Sequence, residues 1–279
     1  MFADGHTPAP NSERRLFRLS AAANDGGGDM GEVNQFGLSR EIPEPVKRQV
    51  RQRCAFGCVL CGCAIIDYHH FDPPFRDATE HRPEAIALLC PLHHRLIESG
   101  LDCADLGNAL KHPYARQQGF ARTPFDFRGG IPPITIGGAL FVGSQRVIVV
   151  GDEMILGFDA PEAKGLPGLL SARFYDHSGA RVAVEIARNE FRSNSRNWDV
   201  EQSGNRLTIR TGPRGIGLQF SIRGNAVLAI EHLNMVCRGY TFRVSGESHG
   251  FKIILPSGER WVTFAPGATV AACYTAIHG

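Results

Sequence analysis

The chain has 279 residues, of which 43% are hydrophobic and 21% charged, with a formal net charge of +2. This composition excludes a largely disordered chain and fits one large or two ordinary domains. No apolar run approaches the roughly 18–20 residues that a membrane-spanning helix needs, so we expect no membrane partner.

The N-terminal part of the chain changes character near residue 38. Residues 1–37 are rich in Gly, Pro, Asn and Asp, which predicts a disordered segment. Residues 39–53 predict a short helix with Pro45 in its first turn. Cationic side chains on this helix form either a phosphate-contacting face or a solvated surface. They are Lys47, Arg48 and Arg51.

Cysteine and histidine are concentrated in residues 54–98. Two pairs have the short spacing that clamps a zinc ion, namely Cys58 with Cys61 and Cys90 with His93. Cys54 and Cys63 flank the first pair, so the spacing leaves open which cysteines bind. The alternative is that these thiols are small buried apolar groups. Clustered cysteines, in place of a disulfide framework, are typical of a reducing compartment, and we expect a cytoplasmic protein.

The segment between these pairs predicts strand, loop, strand and helix. The first strand leads into His69 and His70, whose side chains should point to opposite faces of the strand. One histidine can therefore hold a metal while the other faces a substrate. On the following helix, His94 and Glu98 are four residues apart and share a face.

Taken together, the motifs CVLC, YHHFDP and AIALLCPLHH resemble the zinc-stabilised HNH nucleases, or ββα-metal fold, over about residues 40–100. By position, the resemblance implies that His70 is the general base. It implies a catalytic metal on His69 and His94, with Glu98 available to complete the shell. It also implies a structural zinc on the four residues Cys58, Cys61, Cys90 and His93. The family's bracing Asn falls on Ala85, which indicates a less rigid loop beside the base.

The rest of the chain predicts one more helix near residues 101–112 and then a β-rich region. Short runs of Val, Ile, Phe and Thr alternate with turn residues at roughly ten-residue spacing, as in a sandwich or a solenoid. The predicted fold class is therefore α+β, a ββα-metal module followed by an all-β domain. The predicted divisions are a disordered segment 1–37, an HNH module 38–112, a linker 113–130 and a β-domain 131–279.

The function that the resemblance implies is a metal-dependent endonuclease hydrolysing phosphodiester bonds in DNA, by analogy in bacterial defence or a mobile element. Its cofactors would be structural Zn²⁺ and a catalytic Mg²⁺, Mn²⁺, Ni²⁺ or Zn²⁺. Arg95 joins the cations of the first helix as a candidate DNA contact. The β-domain would recognise, regulate or form a homo-oligomer. The alternative is a catalytically impaired, zinc-stabilised nucleic-acid-binding or sensor protein.

Overall fold

The computed structural model describes residues 33–102, 104–124, 131–159, 168–224 and 227–271, together with the backbone of 275–277. Most of the segment predicted to be disordered, residues 1–32, lies outside this description. Its last residues are ordered by the loop that they contact. The side-chain amide of Asn34 donates to the carbonyl oxygens of Phe75 at 2.6 Å and of Ala78 at 2.7 Å. Residues 33–37 thus differ from the prediction, because one asparagine satisfies two loop carbonyls.

The described residues are mostly β-sheet, with few and short helices. The helices are α1 (Glu44–Arg53), α2 (Pro91–Glu98), α3 (Leu106–Lys111) and α4 (Tyr114–Gln118). A proline lies in the first turn of both α1 and α2, where the missing amide hydrogen costs nothing. Asp105 caps α3, its carboxylate accepting from the Asn108 amide at 2.9 Å. Pro45 thus lies in the first turn of α1 as predicted, but the helix begins at Glu44 and not at residue 39.

A two-stranded antiparallel sheet lies in the N-terminal module (residues 38–112). It consists of β1 (Asp67–His70) and β2 (Ile86–Leu89), with His70 opposite Ile86. All four residues of β2 are buried, which explains its uninterrupted apolar sequence. They pack in one apolar cluster with Val50 of α1 and Leu106 of α3. This small core places the histidine pair at the end of β1 beside α2.

The remaining strands build two larger sheets. In chain order they are β3 (Phe120–Pro124), β4 (Ile134–Ile136), β5 (Ala139–Val142), β6 (Arg146–Val150), β7 (Glu153–Asp159), β8 (Leu169–Tyr175), β9 (Val182–Ala187), β10 (Glu190–Asn194), β11 (Asp199–Ser203), β12 (Arg206–Arg210), β13 (Ile216–Arg223), β14 (Val227–Cys237), β15 (Tyr240–Ser245), β16 (Phe251–Ile254), β17 (Arg260–Phe264), β18 (Thr269–Ala271) and β19 (Thr275–Ile277). The seven-stranded sheet has the order β19-β6-β7-β8-β9-β10-β3. In the ten-stranded sheet β11 to β17 follow chain order, and β4, β5 and β18 join beside β14.

The two large sheets share one apolar core. Along β8 every second residue from Leu170 to Phe174 is buried, the alternation expected of a strand with one face inward. Phe191 of β10 and Phe220 of β13 bring the sheets together, with ring centroids 6.2 Å apart. Two sheets that share one core are typical of a sandwich, and this pair of sheets is called the sandwich from here on.

The segment predicted as a linker contains α4 and β3 within its described part. Strand β3 pairs with β10 over five residue pairs, from Phe120 opposite Asn194 to Pro124 opposite Glu190. Ala115 and Ala121 have no exposed surface and belong to the core between the large sheets. Residues 125–130 lie outside the described residues. The linker was predicted from the loop-like composition of this segment, and its pairing with β10, about 70 positions away, is a tertiary contact that local composition does not reveal.

The N-terminal module and the sandwich share core residues and a buried ion pair. Ala55, Phe56 and Ala64 pack in the sandwich core. Arg51 of α1 donates from Nε and Nη2 to the two carboxylate oxygens of Asp199, at 2.9 and 2.8 Å. Only 4% of Arg51 is exposed, so the prediction that it contacts nucleic acid is wrong. Its guanidinium is instead bound by the buried carboxylate of Asp199.

Arg48 is also turned toward the sandwich. Its guanidinium lies 5.0 Å from the centroid of the Trp198 ring, and its Nε is 3.4 Å from the Asp199 carboxylate. A cation over an aromatic face gains stabilisation there. Arg48 and Arg51 were predicted to contact phosphate. They lie instead on the face of α1 that joins the module to β11.

Candidate metal centres and the neighbouring cleft

The first candidate metal centre is formed by Cys58, Cys61, Cys90 and His93. The sulfurs of Cys61 and Cys90 are 3.8 Å apart, and His93 Nδ1 lies 3.5 Å from the Cys58 sulfur and 3.2 Å from that of Cys90. Zinc bonds of about 2.3 Å to sulfur and 2.0 Å to nitrogen in a tetrahedron require separations of about 3.8 and 3.5 Å. The four side chains therefore fit one tetrahedral ion, and the cluster can hold a metal such as zinc.

Without a metal, burial keeps these thiols protonated. It raises the pKa of Cys61 to about 12 and raises the pKa of Cys58. Neighbouring thiolates would also oppose one another's ionisation, since like charges repel. A bound divalent ion would reverse this by stabilising the thiolates, so metal binding at this cluster would release protons.

The structure decides which cysteines belong to the cluster. Cys54 has no exposed surface and packs in the small core, and Cys63 also lies outside the cluster. The turn carrying Cys58 and Cys61 closes through a hydrogen bond from the Cys58 amide to the Cys63 carbonyl at 2.8 Å. Beyond it, the Ala64 amide donates to the Arg122 carbonyl of β3 at 2.9 Å. The seven-stranded sheet therefore supports the turn that presents the first ligand pair.

The second candidate centre groups His69, His94 and Glu98, whose ligand atoms all lie within 4.8 Å of one another. The rings of His69 and His94 meet edge to face with centroids 5.0 Å apart. His94 Nε2 is 3.3 Å from a Glu98 carboxylate oxygen, close to the ~3 Å between neighbouring ligands of a metal with bonds near 2.1 Å. Asp67, which the sequence did not single out, lies 3.8 Å from His94 Nδ1.

His70 faces a different partner from its neighbour. Its Nε2 is 3.0 Å from Nδ1 of His81, whose own Nε2 is 2.9 Å from the Ser39 carbonyl oxygen. A carbonyl only accepts, so His81 carries its proton on Nε2 and, when neutral, accepts at Nδ1. His70 then donates from Nε2, and its Nδ1 keeps a lone pair. The hydrogen bond therefore sets both the orientation and the tautomer of the His70 ring.

Burial keeps both adjacent histidines neutral near pH 7. For His70, burial is the largest cause, followed by the neighbouring His81, His69 and Arg40, and together they lower its pKa to about 4. Burial, and then His94, lower the pKa of His69. A neutral imidazole is the form that binds metal ions and accepts protons. The two rings thus hold the protonation state that their predicted roles require.

These groups line a cleft of about 1090 Å³. Arg40 and Arg76 lie on its wall, and Asp102 and Asp105 also contribute to the lining. The Arg40 guanidinium stacks 5.1 Å from the Phe75 ring centroid, and that ring lies 5.4 Å from the ring of His70. With Asp72 and Glu98, the lining holds four carboxylates against two arginines, so an anionic substrate would depend on local contact with the arginines and on a bound cation.

Ala85 occupies the place where the resemblance implies an asparagine. It is 4% exposed, and its carbonyl oxygen accepts from the Phe71 amide at 3.0 Å. The loop that follows His70 is therefore braced here by a backbone hydrogen bond.

Two further predicted DNA contacts lie outside the cleft, and one residue that contacts His70 was not predicted. Lys47 is half-buried on α1, and Arg95 is exposed on α2. The structure brings neither of them into the lining of the cleft. His81 was assigned no role from sequence, because an isolated histidine in a proline-rich loop carries no spacing signal. Only the fold brings it to His70.

No family model matches this chain, and comparison with curated proteins and with solved structures found no match. Among the described residues, no helix has the length and apolar character needed to cross a membrane. The site therefore has to be interpreted from its own geometry.

Proposed function

We propose that this protein is a metal-dependent endonuclease of the HNH type that hydrolyses phosphodiester bonds in DNA. One observation carries the proposal. A neutral His70 with a free Nδ1 stands in the same cleft as a separate ligand set, His69, His94 and Glu98. A protein that used its histidines only to bind structural zinc would have no need of this second group.

Phosphodiester hydrolysis needs a water molecule that gives up a proton as it attacks. It also needs neutralisation of the negative charge on the phosphate and the leaving oxygen. His70 Nδ1 would accept the proton of the attacking water. The His81 acceptor at its other nitrogen would stabilise the imidazolium that results. A divalent ion held by His69, His94 and Glu98 would supply Lewis-acid stabilisation of the developing charge. Arg40 on the cleft wall would bind the phosphate.

In this proposal the first candidate centre has a structural role and the second has a catalytic role. Cys90 and His93 of the zinc set lie on the same turn of chain as His94. Zinc at the first centre would therefore hold the start of α2 and with it a ligand of the second centre. Imidazole ligands favour Mn²⁺, Ni²⁺ or Zn²⁺, and Mg²⁺ competes through its abundance. The sandwich would recognise DNA, regulate the module or join copies of the chain.

The competing function, a zinc-stabilised module that binds nucleic acid without cutting it, fits the structure less well. Arg51 is buried against Asp199 and Arg48 is stacked on Trp198, which removes the same predicted nucleic-acid contacts from both functions. The binding module, however, leaves the His70–His81 pair without a role.

The decisive experiment compares wild type with His70→Ala on supercoiled plasmid, with Mg²⁺, Mn²⁺, Ni²⁺ or Zn²⁺ and with EDTA. We expect the substitution to lower the cleavage rate by about 10²–10⁴ without changing zinc content, since loss of a general base has this cost. His249→Ala, at an exposed histidine outside the cleft, is the matched control. Equal cleavage by wild type and His70→Ala at equal zinc occupancy would refute the proposal.

A further inference from the structure

A second cavity, separate from the histidine cleft, lies where the N-terminal module meets the sandwich. Its volume is about 440 Å³, within the range of roughly 300–1,000 Å³ typical of small-molecule sites. Gln52 and Phe56 line it from the module side. The β8–β9 loop, the β10–β11 turn and parts of β12 and β13 line it from the sandwich. Neither the proposed chemistry nor the zinc cluster uses this cavity.

The walls of the cavity include three aromatic rings that the structure holds in place. Phe56 is 4% exposed and belongs to the sandwich core. The hydroxyl of Tyr175 donates to Glu153 at 2.6 Å. Glu153 does not line the cavity, so Tyr175 contributes its ring to the cavity wall. The Trp198 ring is covered by Arg48, and its carbonyl accepts from the Gln52 side chain at 2.7 Å. Fixed aromatic walls favour a ligand with a planar ring.

The polar part of the lining is cationic. Its guanidinium groups belong to Arg181, Arg196 and Arg210. The carboxylate in the lining is Asp176, which already accepts from the Ser178 and Ala180 amides at 3.1 and 3.2 Å. Arg181 lies 3.6 Å from the Asp176 carboxylate and Arg210 lies 3.3 Å from that of Glu201, which leaves Arg196 as the arginine of the lining without an ion-pair partner among the described residues. Arginine is the side chain best suited to carboxylate and phosphate oxygens.

One arginine of the lining has a buried donor without an acceptor. Nη2 of Arg210 donates to Glu201 at 3.3 Å, but its buried Nε has no hydrogen-bond partner among the described residues. Because this Nε has no exposed surface, a ligand in the cavity would reach the terminal nitrogens of the guanidinium and not Nε. The guanidinium groups of Arg196 and Arg210 are therefore the cationic contacts that this ring-walled cavity offers, and they favour a ligand with an acidic group.

We propose that this cavity binds a small anionic ligand with a planar ring, of the size and chemistry of a nucleoside monophosphate. The phosphate would be bound by Arg196 and Arg210, and the base would stack among Phe56, Tyr175 and Trp198. The cavity is too small for duplex DNA, so this is a site distinct from the one proposed for cleavage. The proposal does not depend on nuclease activity.

The position of the cavity gives such a ligand a route to the candidate active site. Trp198 directly precedes Asp199, and Gln52 directly follows Arg51, so the ligand would contact both sides of the buried ion pair. Arg51 in turn donates to the Tyr68 hydroxyl at 2.9 Å, one residue before His69. A ligand that shifts this pair would act on the strand that carries the histidines.

Fluorescence titration of the full chain tests the proposal at the cavity itself. The chain has two tryptophans, and Trp261 is 45% exposed. In a Trp261→Phe background the remaining signal comes from Trp198, and AMP, GMP, CMP and UMP serve as probes. We expect at least one to change this signal with a Kd below about 1 mM. Absence of any change up to that concentration would overturn the proposal.

Variants and fragments of the probe locate the binding groups. Arg196→Ala should weaken nucleotide binding about tenfold or more, since it removes a charge-assisted contact from an exposed side chain. Arg260→Ala, at an exposed arginine of β17 outside the cavity, should bind as wild type. Inorganic phosphate and the free nucleoside should each bind more weakly than the nucleotide. Equal binding of either fragment, or of Arg196→Ala, would contradict the proposed ligand class.

Discussion

At the scale of single residues, the chemistry of the candidate site depends on two adjacent histidines with different neighbours. His69 lies against His94, while His70 is held by His81. Alternation along β1 separates their side chains, so one strand serves both a metal-ligand set and a candidate general base. The bond to His81 is the feature that gives the second ring a defined proton position.

The role of His81 is open to a test with two near-isosteric substitutions. His81→Asn keeps an acceptor near the position of Nδ1, whereas His81→Gln keeps a group near Nε2, which contacts Ser39. If the acceptor toward His70 matters, Asn should retain most DNA cleavage, and Gln and Ala should lose roughly ten- to a hundredfold in single-turnover rate.

A spectroscopic measurement separates this positioning role from nuclease activity. The ¹⁵N shifts of the His70 ring should show a proton on Nε2 in wild type and a mixture of tautomers in His81→Ala. Full activity and an unchanged tautomer in His81→Ala would show that the pair is structural only.

At the scale of elements, the candidate zinc cluster of three cysteines and His93 joins the turn before β1 to the start of α2. Metal binding supplies folding free energy to small modules whose apolar cores are limited. The cluster here adds to a small core that already includes β2 and α1. Its loss should therefore lower the stability of the packed chain without abolishing its fold.

We expect Cys90→Ser to lower zinc content from about one ion per chain and to lower the melting temperature by several degrees, because metal binding contributes to folding. Cys63→Ser is the matched control, since Cys63 lies next to the turn but outside the ligand set. Elemental analysis and calorimetry measure both effects. Equal zinc loss in the two variants would mean that the ligand assignment is wrong.

Glu231 on β14 is the centre of a polar network on the ten-stranded sheet. Burial alone would raise its pKa, but hydrogen bonds from Gln219, Arg223, Ser221 and Arg206 outweigh burial and lower it to about 2. The unfolded value is near 4.5, so the unfolded chain binds more protons between these two pH values. The stabilisation is complete above pH ~4.5 and is lost as pH falls toward about 2.

Glu231→Gln should therefore lower the free energy of unfolding at pH 7 by on the order of 2–3 kcal/mol and flatten its dependence on pH below 4.5. Denaturant titrations at pH 3, 4, 5 and 7 measure this. Glu259→Gln, at an exposed residue of the β16–β17 turn, should leave the profile unchanged. An acid profile of Glu231→Gln that parallels the wild type would exclude this carboxylate as the cause.

At the scale of the whole molecule, the N-terminal module and the sandwich form one packed unit. β3 extends the seven-stranded sheet, residues of both parts share a core, and Arg51 pairs with a fully buried Asp199. Breaking a buried pair by removing one partner leaves an uncompensated charge. The junction should therefore stabilise both parts together.

Asp199→Asn should destabilise the protein by about 3–5 kcal/mol, because Arg51 would stay buried without its main counter-charge. Calorimetry should show a single unfolding transition in wild type, at a higher temperature than in the variant. Asp152→Asn removes the partner of an exposed ion pair with Arg238 and should leave the transition unchanged. Two independent transitions in wild type would show that the parts do not unfold together.

Local patterns in the sequence were enough for the features that depend on short spacing. The zinc pairs, the proline-started helices and most strands after residue 145 follow from periods within one element or one turn. The shared face of His94 and Glu98 was predictable for the same reason. Each of these features is set by neighbours a few positions apart along the chain. His69 and His94 are 25 positions apart, and only the resemblance joined them before the fold did.

Only the tertiary structure decided which residues from distant segments meet. It selected Cys58 and Cys61 over Cys54 and Cys63, placed His81 on His70, and turned Arg51 from a surface cation into a buried partner of Asp199, 148 positions away. It also placed strand β3 within the segment that was predicted to be a linker. Such contacts leave no periodic trace, because burial and pairing arise from packing between elements, and packing depends on the whole chain.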